Sequence, residues 1–566
     1  MKILIIGCGL AGLSAAITAA KASNSVTVIS PFPPERSQSV LAAGGINAAL
    51  NTKGENDSFL QHCEDTMKAG CFIADEKAVL NLTKNAPEII SDLEHYGTVF
   101  SRDENGFPDM RYFGGQKKKR TVFSKAGIGK QLVSGLSGEL RRYCCEGKIN
   151  LITNCKFVKC IITNGVYRGV IAENTADGNL SYMPSDALIV ACGGPGGLFG
   201  KTTGSSTSDG FAAASLFVSG VKMANLEMVQ FHPTAIETAQ KRMLISEAAR
   251  GEGGRLFTIK DGKRWYFMED WYGKNGNLMP RDIVSQCIYK VCVLMKSGIN
   301  GQKFVGLDLT HLGEDVVHNR LKEITDTCML YLGIDPAKDY IPVYPAVHYF
   351  MGGIYVDRCH RASIPGIYAA GECSCMYHGA NRLGGNSTLS AIYGGKTAVI
   401  NANADFENLE KNRISKSDSN AEKMAHEEIE ALTKLTEASV SDKRSESPSW
   451  LIQDIQIAMN LYLGIIRTPE SLNEGMRILS EMYLRKPVFR KCHVSDALGA
   501  INMQQLGKAF FESALARRES RGAHMRSDYP DTDDEHYKKT SVSSYKDGQI
   551  EVHFEEIGRL FCDSEA

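Results

Sequence analysis

The N-terminus carries the first residues whose types and spacing could do chemistry. Ile3-Leu4-Ile5-Ile6 is the unbroken apolar run of a buried strand, Gly7-x-Gly9-x-x-Gly12 follows it directly, and an Ala- and Leu-rich helical stretch runs on to about Ala22. Glycines at this spacing permit a tight turn, close helix packing and an unobstructed approach to a pyrophosphate, which then faces the helix N-terminus. The motif in this context points to a bound nucleotide. A second strand, Val26 to Ile29, ends at Ser30, where NAD-binding chains carry the acid that holds the ribose, so plain NAD binding is disfavoured. Glu247 and Arg250 stand three residues apart on one helical face, within reach of each other. Cysteine chemistry is less promising. The sixteen cysteines include no CxxC pair, and the nearest sets (Cys144-Cys145, Cys155/Cys160, Cys287/Cys292 and Cys373-x-Cys375-x-x-His378) have no second cluster to complete a zinc or iron-sulfur site. No metal is expected, and the cysteine usage reads as that of a reduced, cytoplasmic protein.

The elements that position these groups are spread along the chain. A buried strand over 187–191 runs into Cys192-Gly193-Gly194, and another over 366–370 runs into Gly371-Glu372. One sheet is thus revisited late, which makes the intervening stretch from roughly 232 to 350 an inserted domain. Residues 407–449 turn polar around a short amphipathic helix, 450–520 read as a small helical bundle, and the end carries a charged tail and a strand-like IEVHFEEI. Composition bounds the partners. With 43% hydrophobic and 23% charged residues the chain is globular, and 64 basic against 65 acidic residues leave no electrostatic case for nucleic acid. The 54 glycines suggest repeated close approach of backbone to a large cofactor. The apolar N-terminus resembles a signal peptide, but its regularly placed glycines argue against one, and no apolar run reaches the roughly 18 residues a spanning helix needs.

Several longer motifs occur in order over nearly the whole chain: Arg36-Ser37-Gln38-Ser39 with Ala43-Gly44-Gly45, Gln230-Phe231-His232-Pro233-Thr234, Glu247-x-x-Arg250-Gly251-Glu252-Gly253-Gly254, Pro280-Arg281-Asp282, Ala346-x-His348, Gly371-Glu372, His378-Gly379-Ala380-Asn381-Arg382 with Asn386-Ser387, and Arg518-Glu519-Ser520-Arg521-Gly522-Ala523-His524. Together they resemble the flavoprotein subunits of succinate dehydrogenases and fumarate reductases, whose superfamily includes L-aspartate oxidase. The resemblance implies an α/β fold: a Rossmann-like FAD-binding domain in two segments (1–231 and 349–405), an inserted α+β capping domain (232–348), a C-terminal helical domain (406–520) and a C-terminal region (521–566). It also implies electron exchange with an iron-sulfur subunit, and a place at the inner face of the cell membrane through partner subunits.

The resemblance assigns residues as well. A C4 dicarboxylate needs donors at both ends in a dry site, and His232 with Ser246 would hold one carboxylate while His348 with Arg382 holds the other. Arg281 would be the proton donor, resupplied through Glu247 and Arg250. An arginine acid works only if its proton leaves transiently and the relay replaces it. The expected FAD contacts are Gly7, Gly9, Leu10, Ala11, Gly12, Ser30, Ser37, Gln38, Ser39, Ala43, Gly44, Gly45, Gly193, Gly194, Asp209, Glu372, Asn386, Ser387 and Leu389. Phe113 stands where aspartate oxidases carry a glutamate for the substrate ammonium, which favours an unsubstituted dicarboxylate. The charged tail Asp528-Tyr529-Pro530 onward also resembles the complex-forming subunits. Two features depart from the family. Gln38 replaces the histidine that the respiratory enzymes join covalently to FAD, so FAD should be non-covalent, its potential lower and fumarate reduction favoured. Ser124-Lys125-Ala126-Gly127-Ile128-Gly129 replaces the usual Ala-Asp-x-Thr-Gly, which puts the flavin contacts there in question.

Overall fold

A computed structural model describes residues 1–125, 127–239, 241–414, 419–439, 445–482, 485–559 and 561. Its centre is a five-stranded parallel sheet in the order Ile367–Ala369, Ala187–Val190, Lys2–Ile6, Ser25–Ile29, Ile149–Ile152. The strand Ala187–Val190 is buried throughout, and Lys2–Ile6 is buried beyond its exposed first residue, as their unbroken apolar runs require of strands covered on both faces. The helix Leu10–Lys21 packs on the long helix that begins at Asn386, and one hydrophobic core joins the two to the sheet. A side chain at Gly395 would lie 2.3 Å from the Ala11 carbonyl, so this close helix contact depends on glycine.

The inserted segment folds around its own hydrophobic core. Its six-stranded antiparallel sheet runs Arg242–Leu244, Val229–Glu237, Ile341–Phe350, Val305–Asp308, Arg255–Lys260, Lys263–Trp265. The chain enters and leaves this segment along the two paired strands Val229–Glu237 and Ile341–Phe350, with Phe231 opposite Val347. The insertion is therefore entered and left along a hydrogen-bonded ladder, in place of two loops.

The helices Pro448–Tyr462, Pro469–Glu481 and Val494–Ala516 form the expected bundle, with Thr468 and Ser471 closing a reciprocal cap on the second. The third begins at Val494, where Glu173 from a neighbouring strand accepts the Val494 and Ser495 N–H groups. Ile455, Met459, Leu479, Met503 and Phe510 belong to the main core, so the bundle shares the interior of the parallel-sheet domain. The C-terminal hairpin Thr540–Lys546/Gln549–Glu555 adds to Met223–Ala224 in a mixed sheet. Among the described residues no helix is long and apolar enough to cross a membrane.

Candidate active site

A single cavity of about 250 Å³ runs from the Gly7–Leu10 turn to the seam between the flavin region and the insertion. At the first end, Gly7 has φ +98°, and a side chain there would lie 2.3 Å from the Ala191 carbonyl. The Leu10 N–H donates to Ser39 Oγ at 3.1 Å, which draws the Ser37–Ala43 loop over the helix N-terminus. Gly129 backs this loop through Gly129 N–H to Ala42 O, and its Cβ would fall 2.3 Å from Ser39 O. Within the departing stretch 124–129, Gly129 thus packs its backbone on the loop; Ala126 lies outside the described residues.

Most expected cofactor contacts line this cavity: Gly7, Gly9, Leu10, Ala11, Ser30, Ser37, Gln38, Ser39, Ala43, Gly44, Gly45, Gly193, Asp209, Glu372 and Ser387. Four do not, and each has another task. Gly12 lets the first helix approach the turn, since its Cβ would sit 1.9 Å from Gly7 O, and Gly194 makes room for the Glu372 side chain. Asn386 bonds Asn47, His62 and Thr66 away from the cavity, and Leu389 is wholly buried in the core. Motif membership marks a segment, but helical and loop alternation decides which of its side chains face inward.

The residues fit a flavin dinucleotide. Glycines 7 and 9 leave the space a phosphate chain requires, and Ser37 Oγ is buried without a protein partner although Ser37 lines the cavity. Burial pushes the Glu372 carboxyl up to about 7, while it accepts the Phe350 N–H. Gln38 Oε1 accepts the Ser205 N–H and so ties the loop to the 203–208 turn.

At the other end, two strand irregularities present the histidines. Gln230 pairs with Tyr349 and Phe231 with Val347, leaving His348 as the extra residue of a bulge. His232 pairs with Ala346 and Ala235 with Tyr344, so Pro233-Thr234 makes a second bulge, where a proline without N–H is tolerated. The imidazoles lie edge to face at 5.1 Å. Thr203 Oγ1 holds His348 Nδ1 at 2.7 Å, and Thr234 surrounds His232 Nδ1, so the Nε2 atoms have no protein partner among the described residues. Burial, reinforced by Arg281, holds both histidines well below the ordinary imidazole range. Both are neutral at physiological pH.

Arg281, the first residue of its helix, reaches Glu247 Oε2 through Nη2 at 2.8 Å and through Nε at 3.2 Å. The other Glu247 oxygen accepts from Arg250 Nη2 at 2.9 Å, and Arg250 Nη1 donates to Asn277 O at 2.6 Å. The three expected relay residues form one hydrogen-bonded chain, each at most 6% exposed. Burial alone would raise the Glu247 carboxyl, but Arg281 and Arg250 outweigh it and bring it down to about 2. Burial and the neighbouring Arg281 push Arg382 down to about 9; its Nε has no partner, and its guanidinium stacks 4.2 Å from the Tyr349 ring. Ser246 lines the same end, and its Oγ accepts the Ala248 N–H at 3.3 Å. Phe113 closes the wall; side chains at Gly44 or Gly384 would fall 2.8 or 2.7 Å from its ring.

The sequence reading gave no role to Gln230, Asn381 or Thr203. Gln230 and Asn381 sat inside motifs already singled out, adjacent to residues that were chosen; Thr203 carried no signal of its own.

A Rossmann-like sheet, a nucleotide cavity and an arginine-rich end open to that cavity define an FAD-dependent oxidoreductase. Comparison with known proteins agrees: residues 2–388 match the family described as FAD binding domain, and 452–559 match the fumarate reductase flavoprotein C-terminal family. The chain is 39% identical to the succinate dehydrogenase flavoprotein subunit of Bacillus subtilis, covering 96% of this chain and 94% of that one. It is 33% identical to a fumarate reductase flavoprotein subunit of Mycobacterium tuberculosis, covering 98% and 96%. It superimposes on a chain of Escherichia coli quinol fumarate reductase with a TM-score of 0.88 at 29% identity, over 99% and 97% of the two chains. The chain belongs to the succinate dehydrogenase/fumarate reductase flavoprotein family, FAD-dependent oxidoreductases that act on CH–CH bonds.

Proposed function

We propose that the chain interconverts fumarate and succinate, favours fumarate reduction, and holds FAD non-covalently. The observation that carries this is the Arg281–Glu247–Arg250 chain, which ends at a cavity wall shared with His232, His348 and Arg382. When bound, FAD exchanges a hydride with one carbon of the C–C bond. The protein's task is to hold the two carboxylates and to move a proton at the other carbon. His232 with Ser246 receives one carboxylate, and His348 with Arg382 the other. Closure of the capping segment 232–348 over the cavity excludes water and aligns Arg281.

Arg281 gives up its proton only transiently. Glu247 is held low chiefly by the two guanidinium charges, so when Arg281 becomes neutral the Glu247 carboxylate becomes a stronger base. It then draws a proton from Arg250 and returns one to Arg281, and Arg250 recovers its own from solvent.

Gln38 supports the non-covalent reading, because an amide cannot form the bond a histidine makes to the flavin. A lower flavin potential then favours fumarate reduction, although relatives named for both directions are similar to this chain. Electrons reach the flavin from an iron-sulfur subunit, which also brings the chain to the membrane. The test is anaerobic: reduce the flavin, mix with fumarate, and follow the return of oxidised flavin absorbance, with L-aspartate added to oxidised enzyme as control. Rapid reoxidation by fumarate is expected, while bleaching by aspartate makes the chain an amino-acid oxidase. Acid precipitation should leave the yellow colour in the supernatant; a yellow pellet contradicts the role given to Gln38. A flavin potential at or above that of the fumarate/succinate couple removes the argument for direction.

A further inference from the structure

Gln230 is fully buried between two guanidiniums that repel each other. Its Oε1 accepts from Arg281 Nη1 at 2.9 Å and from Arg382 Nη2 at 3.2 Å. Its Nε2 donates to Arg382 O at 2.9 Å and to Asn381 Oδ1 at 2.7 Å, and Asn381 in turn donates to Asp282 Oδ1 at 2.9 Å. The orientation of the amide is thereby determined. Its nitrogen faces acceptors only, so its oxygen must face the two arginines.

The neutrality of this side chain matters as much as its position. Arg281, Arg250 and Arg382 bring three positive charges to this end of the cavity, Glu247 brings one negative charge, and the two histidines are neutral. Over these six side chains the remainder is +2, the complement of a dianion. A carboxylate at position 230 would reach the same two guanidiniums and cancel one of their charges, but it would turn its second oxygen toward Arg382 O and Asn381 Oδ1, which the amide nitrogen satisfies. Two other acids stand nearby: Asp282 behind Asn381, pushed up to about 6 by burial, and Glu372, pushed up to about 7. Neither bonds a guanidinium of the site.

We infer that Gln230 is a specificity-determining and positioning residue: it holds Arg281 and Arg382 at fixed spacing through one shared acceptor, and it leaves their charge uncancelled so that the site selects a doubly charged substrate. This rests on the dicarboxylate reading above. It predicts that Gln230→Glu, which cancels one of the positive charges, loses affinity for a dianion more than for a monoanion.

The experiment uses the FAD-loaded protein and titrates the visible flavin spectrum with fumarate and with the monoanion crotonate. In Gln230→Glu, fumarate should bind about 100-fold more weakly and crotonate about 10-fold, since the added charge acts twice on the dianion. Gln230→Met keeps the volume and the +2 remainder but removes the acceptor. Its fumarate Kd should stay within about threefold while kcat for fumarate falls at least about tenfold, because Arg281 is no longer held in line. If the native enzyme does not prefer fumarate to crotonate, the dicarboxylate reading fails and the inference falls with it. If the native enzyme does prefer fumarate and Gln230→Glu prefers it equally, only the charge-selecting role is overturned. A Gln230→Met variant with native kcat overturns the positioning role, and that variant decides the matter alone if Gln230→Glu does not retain FAD.

Discussion

Two buried clusters of arginine and carboxylate lie in this molecule, and they differ in how their charges close. In the C-terminal cluster, Arg517 bonds Glu227 and Glu519, Arg521 bonds Glu519 and Asp534, and Arg526 bonds Asp528. Arg467 completes it by donating to Glu227 O and to His524 Nδ1. Four guanidiniums meet four carboxylates, of which Asp534 lies at the surface, and the cluster ties the helical bundle and the tail to the strand region near Glu227. In the cavity cluster three guanidiniums meet one carboxylate. A balanced buried network is a structural joint. An unbalanced one that faces a cavity stores its deficit for a ligand.

Substitutions can test this contrast. The largest effect is expected at Arg281→Lys, where a point charge replaces a forked donor: flavin binding should persist while turnover falls by about 10³-fold or more, read as kcat beside an unchanged visible spectrum. Native turnover would exclude Arg281 from proton transfer. Next comes Arg517→Met in the balanced cluster, which leaves the buried Glu227 carboxylate with Ser541 as its remaining side-chain partner. Stability should drop by about 3–5 kcal/mol in chemical denaturation, with KM for fumarate unchanged in the protein that remains folded. Arg382→Met should behave in the opposite way. It removes a cation that the fold already disfavours, so the melting temperature should hold or rise while KM for fumarate rises about 10- to 100-fold. If Arg382→Met melts well below the native protein, the two clusters are not different in kind.

The smallest effect concerns pH. Glu372 has its folded value raised from the ordinary 4.5 to about 7, so the folded state holds a proton that the unfolded chain has already lost. Its contribution to stability is therefore full in acid, declines as pH climbs through the ordinary carboxylate range, and levels off above about 7. Glu247, held at about 2, has the opposite sign and changes only in stronger acid. Thermal melts between pH 5 and 8 should show a falling component that Glu372→Gln removes and Glu247→Gln leaves in place.

Much of this was legible in the sequence because it rests on local rules. Gly7, Gly9 and Gly12 announce a strand-turn-helix, since only glycine tolerates Gly7's positive φ and the contact of Gly12 with Gly7 O. Apolar runs marked the parallel strands, and ordered motifs marked the segments that line the cavity. The pairing of Glu247 with Arg250 followed from helical spacing alone. Other features were beyond such rules. Gln230 carries no charge and no titration, so residue type alone gave no reason to choose it over its neighbours. The placement of Asn386 on Asn47 and His62 joins residues more than three hundred positions apart.

By itself the sequence determined the nucleotide-binding turn, the pairing of Glu247 with Arg250 and the absence of a histidine at position 38, because each depends on residue type or on spacing within one element, while the candidate acid Arg281 came from the family resemblance. Only the tertiary structure decided which buried arginines are matched and which are left over. Charge balance is a sum over side chains brought together from distant segments, and that sum exists only once the strands Val229–Glu237 and Ile341–Phe350, the Arg281 helix and the Arg382 loop have met.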